Sequence, residues 1–184
     1  MTELDEDEQR GAIRDMADRH GLDLDMLAAR LVMDWDELRA VAMEPLCTIG
    51  AHTMTHPALA RLPASRALAE MRASADRLEA ELGRRPWAVA FPYGTLLAAG
   101  PREARLAAEA GFEASFTTRP GHVAAGSMHG LPRVSLNGRF QDARLVQPLL
   151  EPGLWRLRDR RRRLGPGRLS ARRGEIGPAA ASSR

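Results

Sequence analysis

The chain has 184 residues, of which 44% are hydrophobic and 28% are charged, a balance typical of a globular domain with one hydrophobic core. It contains no apolar run of roughly eighteen residues, which excludes a membrane-spanning helix, and its single cysteine excludes a scaffold held by intramolecular disulfides. The net charge of +3 is uneven, because nine arginines against Asp159 and Glu175 follow Leu157 and leave the rest of the chain acidic.

Three short helices are predicted before the first strand. The first eight residues are acidic and lack the basic start and apolar middle of a secretory signal, which predicts a cytoplasmic protein. A helix is predicted over residues 10–20, with Gly21 in the left-handed conformation that ends it. Asp23 is expected to cap a second helix, and Asp34 with Glu37 to form the capping box of a third.

These helices could instead form a helix-turn-helix module, but their charge argues against that alternative. Up to Glu44 they carry five arginines against thirteen acidic residues, which would repel phosphates. Nucleic acid is therefore not predicted as a partner of this segment. Asp34, Trp35 and Asp36 could suggest a carboxylate site, but capping and packing account for them.

The stretch after the third helix carries the residues best suited to chemistry. Residues 46–49 are predicted to form a short buried strand that holds Cys47 as an inert thiol, and Gly50 releases the chain at its end. His52 and His56 follow, four positions apart. On one helical turn both rings would lie on the same face, near enough to share a metal ion. A structural role for such a pair is the commoner alternative, but loops at the carboxyl ends of strands are where α/β folds place their chemistry.

Helices and strands continue to alternate along the chain. This order predicts parallel strands joined by crossover helices, in a sheet or a segment of a barrel. The elements expected are a helix over 63–82, a strand over 87–91 that leads into Pro92-Tyr93-Gly94, a helix over 100–111, and strands over 112–118 and 131–136.

Two groups of polar side chains in these elements are assigned to the surface. In the helix over 63–82, Arg66 with Glu70 and Arg77 with Glu81 are expected to form ion pairs on the solvent side. His122 and His129, in a glycine-rich connection, are expected to be solvated loop residues.

The segment Gly50-Ala51-His52-Thr53-Met54-Thr55-His56-Pro57 resembles the His-Thr/Ser-x-x-His element of the NodB-homology polysaccharide deacetylases, carbohydrate esterase family four. The segment Trp87-Ala88-Val89-Ala90-Phe91-Pro92-Tyr93-Gly94 resembles the Pro-Tyr-Gly strand end of that family. The order and separation of the two motifs also match, with an amphipathic helix between them, and the resemblance covers roughly residues 46–138. It implies a distorted (β/α) barrel that removes N-acetyl groups from amino sugars, as in chitooligosaccharides, with a divalent metal such as Zn²⁺ or Co²⁺.

The resemblance also implies roles for individual residues. His52 and His56 would be metal ligands, and the backbone amide of Tyr93 would contact the oxyanion. Pro92, Tyr93 and Gly94 would form the substrate-binding loop. The implied partner is an N-acetylated oligosaccharide or polysaccharide, and the resemblance leaves the oligomeric state open.

Three departures from the family pattern are visible. The Thr-Phe-Asp-Asp-Gly stretch of its first strand, which supplies a metal ligand and the catalytic base, is absent. Ala90-Phe91 stands where the family has arginine and proline, and Arg133 stands where it often has the histidine of a Leu-x-His motif. These departures indicate the carboxyl-terminal part of a longer deacetylase. A non-catalytic remnant that binds sugar or metal is the alternative.

The predicted organisation has three parts. Residues 1–45 form a helical lead-in, 46–150 a partial deacetylase domain of the α/β class, and 151–184 an Arg/Gly/Pro/Ala-rich tail. Beyond residue 164 the tail has too few apolar residues to fold, so it is expected to be disordered. Attraction of its arginines to nucleic acid or another acidic surface is the alternative role for this segment.

Overall fold

The computed structural model describes residues 6–123, 126–136, 138, 142–151, 153 and 155–157. By its internal contacts the chain divides into two units, Met1–Ser135 and Leu136–Arg184. None of the helices within these described ranges is long and apolar enough to cross a membrane.

The larger unit begins with the three predicted helices: α1, Glu6–Arg19; α2, Leu24–Leu31; and α3, Trp35–Ala42. Gly21 has a φ of 63°, as expected for a left-handed residue at a helix end. The side chain of Asp23 accepts a hydrogen bond from the Met26 amide, and Asp34 and Glu37 form the predicted capping box. Helix α1 starts earlier than predicted, because the acidic residues of its first turn interact favourably with the helix dipole.

Helix α4, Ala64–Leu82, is the longest helix among the described residues. Pro63 precedes it, and Gly83, with a φ of 71°, ends it as predicted. Its inward face packs into the core with the residues Ala67, Met71, Ser74 and Ala75. On its outer side, the predicted pair of Arg77 and Glu81 forms at 2.9 Å, and Arg77 also stacks 4.8 Å from the ring centroid of Trp35 in α3.

Two parallel strands form the sheet: β1, Ala88–Ala90, and β2, Ala114–Phe116, in which Val89 is opposite Ser115. Helix α5, Pro101–Glu109, connects them. Isolated parallel bridges extend the sheet on both sides, from Ala51 to Val89 and from Phe116 to Leu131. The expectation of parallel strands alternating with helices is therefore confirmed, whereas the described residues show two strands and no barrel.

The predicted strand over residues 46–49 is wrong. Leu46 is fully exposed, with a relative accessibility of 102%, and Cys47 is half-buried rather than buried. Pairing begins only at Ala51, whose amide donates to the Ala88 carbonyl at 2.9 Å. Within the described part of the chain no strand flanks residues 46–49 on their other side, so their apolar side chains have no second face to bury. The strand expected over 131–136 is likewise reduced to the bridge at Leu131.

The main hydrophobic core lies between α4, α5 and one face of β1. Its members include Leu59, Met71, Val89, Phe91, Leu106 and Phe112. A smaller cluster of Ala88, Ala114 and Leu131, with Phe116 packed against it, covers the opposite face of the sheet. The two-stranded sheet therefore packs against a hydrophobic cluster on each face.

The second unit contains helix α6, Ala143–Leu150, which the sequence analysis did not predict. The carboxylate of Asp142 caps it by accepting from the Arg144 amide at 2.9 Å. The indole of Trp155 donates to the carbonyl oxygen of Leu149 at 2.7 Å. Of the tail predicted over residues 151–184, the described residues 153 and 155–157 are helical, and residues 158–184, on which most of the expected disorder falls, lie outside the described residues.

Candidate functional site

His52 and His56 lie on the loop that follows Ala51, and their rings meet edge to face. The ring centroids are 4.8 Å apart, with an interplanar angle of 72°. The loop does not form the predicted helical turn, because Thr53 and His56 have φ values of 64° and 60°, in the left-handed region. The two rings therefore come together through an irregular backbone instead of through helical periodicity.

Tyr93 lies next to this pair, on the loop that follows β1. Its ring centroid is 5.1 Å from that of His56, and the residue is 55% exposed, so three rings form a row at the surface. Its φ is 60°. In the described part of the chain, Thr53, His56 and Tyr93 are the non-glycine residues with positive φ. Each such residue costs on the order of 1–2 kcal/mol, and strain of this kind clusters at functional sites.

The loop that carries Tyr93 is fixed by Thr118, just beyond β2. The Thr118 hydroxyl donates to the Tyr93 carbonyl at 2.7 Å, and the Thr118 amide donates to the Gly94 carbonyl at 3.1 Å. Gly94 has a φ of 58°, and a Cβ atom there would lie 2.3 Å from the Thr118 nitrogen. The close approach of these two backbones therefore requires glycine.

The protonation of the His52 ring is set by the backbone of β1. Its Nδ1 atom lies 2.7 Å from the carbonyl oxygen of Ala90. Since a carbonyl oxygen can only accept a hydrogen bond, Nδ1 must carry the proton. The lone pair of Nε2 is then free in the neutral ring, which is the arrangement found in metal-binding histidines whose other ring nitrogen donates to the protein.

Glu70 of α4 holds the loop between the two histidines, a role that the sequence analysis missed. Its Oε2 atom accepts from the amides of Met54 at 3.0 Å and Thr55 at 2.8 Å, and its Oε1 atom accepts from the Thr55 hydroxyl at 2.8 Å. The predicted ion pair with Arg66 is not formed, because Arg66 lies 3.9 Å from Asp7 instead. The four-residue spacing of Arg66 and Glu70 is the same whether Glu70 pairs with the arginine or accepts hydrogen bonds from a loop. The sequence alone therefore could not predict this role.

The end of the histidine loop is anchored by an ion pair on α5 between the half-exposed Arg102 and the buried Glu103. The loop runs into a 3₁₀ helix, Leu59–Arg61. The guanidinium of Arg102 donates to the carbonyl oxygens of Leu59 and Leu62, at 2.9 Å each, and to the carboxylate of Glu103 at 2.6 Å. The Glu103 side chain is only 3% accessible and also accepts from the Gly100 amide at 2.7 Å. The segment that follows His56 is thus fastened to the core.

The histidine pair fits part of a metal coordination shell. Catalytic zinc sites usually combine three protein ligands with one open position. Within the described ranges no group of three or more His, Cys, Asp or Glu side chains is arranged to hold a metal ion. His52 and His56 can therefore supply two ligands, and the described residues do not complete the set.

Two cavities adjoin the row of rings. One of about 330 Å³ lies beside His52, and its walls include Trp87, Ala90 and Phe116. The other, of about 190 Å³, lies beside Tyr93 and is lined on its far side by α1, through Glu6 and Gln9. The site is thus open on both flanks.

Other residues considered in the sequence are placed as follows. Phe91, where the family has a proline, is buried in the core, and Arg133 is exposed. His122 is exposed as expected. His129 is half-buried, and its Nδ1 atom is buried with no hydrogen-bond partner in the described part of the chain, so the expectation of a solvated side chain is wrong there.

Comparison with known proteins gives a family and a fold. The family model described as polysaccharide deacetylase matches residues 12–115. No curated protein matches the sequence. Among solved structures, Streptococcus pyogenes deacetylase PplD in complex with acetate is 21% identical with a TM-score of 0.55, and the match covers 65% of this chain and 51% of that one. The chain therefore has the fold of about half of that structure.

Two further solved structures match over a smaller share of this chain and with lower TM-scores. The BpsB deacetylase domain from Bordetella bronchiseptica is 22% identical, with a TM-score of 0.43 and coverage of 48% of this chain and 43% of that one. IcaB from Ammonifex degensii is 23% identical, with a TM-score of 0.41 and coverage of 47% and 40%.

Proposed function

This chain belongs to the polysaccharide deacetylase family, and from that premise we propose that it forms part of the active site of a metal-dependent hydrolase of N-acetyl groups on amino sugars. The proposed substrate is an N-acetylated oligosaccharide or polysaccharide, such as a chitooligosaccharide. The observation that supports this most directly is the pairing of His52 and His56, whose ring centroids are 4.8 Å apart. Nδ1 of His52 is bonded to the Ala90 carbonyl, and the Tyr93 ring lies next to His56.

The two histidines would hold a divalent cation, Zn²⁺ or Co²⁺. Such an ion polarises an acetamide carbonyl and lowers the pKa of a water molecule toward about 7, which makes amide hydrolysis possible near neutral pH. The bond from His52 to the Ala90 carbonyl orients the ring and leaves Nε2 available. His56 is held by its own amide, which donates to the Thr53 hydroxyl at 3.1 Å.

Tyr93 would contribute through its backbone and its ring. Among the described residues no group accepts a hydrogen bond from its amide, which leaves that N–H available for the oxygen of a substrate carbonyl as negative charge develops there. Its exposed ring offers an apolar surface against which a sugar can stack. Pro92 and Gly94, both buried, set the shape of this substrate-side loop.

A binding role without hydrolysis is the second candidate. It is favoured by one observation: among the described residues no third His, Cys, Asp or Glu side chain is arranged with the histidine pair to hold a metal ion. In that case the chain would bind sugar or metal through the same three rings without releasing acetate.

The test is an assay of acetate release from N-acetylglucosamine oligomers with Zn²⁺ or Co²⁺ added. We expect His52→Ala and His56→Ala to abolish the release, and His20→Ala, at the exposed end of α1, to have no effect. A rate that survives both site substitutions would overturn the assignment. Calorimetry that detects oligomer binding without any acetate release would select the binding role.

A further inference from the structure

We propose that Glu70 is the positioning residue that brings the His52 and His56 rings together. This inference deepens the proposed function and rests on it for the metal, but the geometry it concerns exists without metal. The carboxylate of Glu70 accepts three hydrogen bonds, of 2.8–3.0 Å, from Met54 and Thr55, the two residues in the middle of the loop.

The loop needs an external support because its backbone is strained. Thr53 and His56 both adopt left-handed conformations, on either side of the two residues that Glu70 binds. Strained backbone of this kind persists only where its surroundings determine it. A carboxylate that binds two adjacent amides and a hydroxyl supplies that determination, since hydrogen bonds to an ionised acceptor are about twice as strong as neutral ones.

Glu70 is itself held firmly in place. It lies on α4 directly before Met71, which is completely buried, and one turn after Ala67, which is also completely buried. Its side chain is half-buried. In the described part of the chain the hydrogen bonds of its carboxylate all come from the loop and none comes from a guanidinium, so the carboxylate supports the loop and not the helix surface.

A second contact completes the restraint from the other side. The guanidinium of Arg10, in α1, donates to the carbonyl oxygen of Thr55. The amide, hydroxyl and carbonyl of Thr55 are therefore all bonded, the first two to Glu70. Because Glu70 accepts three hydrogen bonds from the loop and Arg10 donates one, Glu70 provides the larger share of the restraint.

The test compares variants of two glutamates on α4. Glu70→Ala removes the acceptor, whereas Glu79→Ala, an exposed residue paired with Arg85, removes a carboxylate elsewhere on the same helix. Glu70→Gln keeps an oxygen for the amides and an NH₂ group that can donate to the Thr55 hydroxyl. The readout is the nuclear Overhauser effect between ring protons of His52 and His56, and between those of His56 and Tyr93, in metal-free protein.

We expect Glu70→Ala to lose the His52–His56 effect, and Glu79→Ala and Glu70→Gln to keep it. If Glu70→Ala does not fold, Glu70→Asp decides the matter, because its shorter side chain keeps the charge but cannot reach all three donors, so the effect should be lost there. Ring contacts at wild-type intensity in the folded Ala or Asp variant would overturn the proposal.

A Zn²⁺ titration separates this inference from the proposed function. Loss of a group that orients a metal ligand typically costs about 10-fold to 100-fold in affinity, so Glu70→Ala should bind Zn²⁺ at least about 10-fold more weakly than Glu79→Ala. If the wild-type chain binds no Zn²⁺ but loses its ring contacts on Glu70→Ala, positioning by Glu70 stands and the metal assignment falls. Equal affinity with unchanged ring contacts would refute positioning and leave the metal assignment intact.

Discussion

The Nδ1 atom of His52 lies 2.7 Å from the carbonyl oxygen of Ala90, and this contact determines which ring nitrogen can bind a ligand. We expect the neutral ring to be protonated at Nδ1, because the carbonyl can only accept. A long-range ¹H–¹⁵N spectrum distinguishes the two tautomers, with exposed His20 as an internal comparison. Added Zn²⁺ should then shift the Nε2 resonance of His52. A neutral ring protonated at Nε2 would contradict this expectation.

Gly94→Ala should destabilise the chain more than Gly83→Ala. Both glycines have positive φ, 58° and 71°, so both substitutions carry the left-handed cost of roughly 1–2 kcal/mol. Only at Gly94 does a Cβ atom also meet backbone, at 2.3 Å from the Thr118 nitrogen, whereas nothing lies within 4 Å at Gly83. Equilibrium unfolding in urea measures both free energies. Equal losses would mean that the Tyr93 loop moves freely away from Thr118.

Arg102→Ala should lower the free energy of unfolding by about 2–3 kcal/mol. The substitution leaves the buried Glu103 carboxylate without its cation and removes the donor to the Leu59 and Leu62 carbonyls. Arg105→Ala, on the exposed side of the same helix, is the matched control and should change stability by no more than about 0.5 kcal/mol. Denaturant unfolding of the two variants checks this, and similar losses would show that the pair of Arg102 and Glu103 adds nothing to stability.

The cap of α6 should weaken in acid. The side-chain hydrogen bond from Arg144, followed by the bond from its backbone amide, lowers the pKa of Asp142 below its ordinary value of 3.8. Because the folded-state pKa is depressed, the stabilisation is fully present above pH 3.8 and is lost as the pH falls through the folded-state pKa. The Arg144 amide resonance, followed from about pH 6 to about pH 2, should move in that range and stay constant in Asp142→Asn. An amide shift with the same pH dependence in both proteins would contradict the assignment.

Local signals in the sequence predicted most of the helices. Capping residues such as Asp34, and the left-handed glycines at 21 and 83, act over a few residues and need no tertiary context. Strand ends were less predictable. The apolar run over 46–49 has the composition of a strand, but a strand is defined by its neighbours, and here pairing starts at Ala51. The cytoplasmic location and the division at residues 45 and 150 stay predictions.

The sequence predicted that the His52 and His56 side chains lie together, but not the backbone conformation that brings them together. The spacing of His52 and His56 indicated a shared face, and their rings do lie together, but on left-handed residues that no periodicity describes. Glu70 was assigned to a surface ion pair because the four-residue pattern on a helix is common. Its three bonds to the loop depend on how α4 packs beneath residues 54 and 55, which is a property of the tertiary fold.

The loop that carries the two imidazoles is supported by helices as well as by the sheet. Besides the bridge at Ala51 and the contact of His52 with the Ala90 carbonyl, it is held by Glu70 in α4 and Arg10 in α1, and its end is held by Arg102 in α5. The stretch 51–82 therefore contains the histidines together with their principal brace, in one continuous piece of chain. Transplanting that stretch to another parallel strand should therefore preserve the pair only where the new strand offers His52 a carbonyl oxygen, as Ala90 does here.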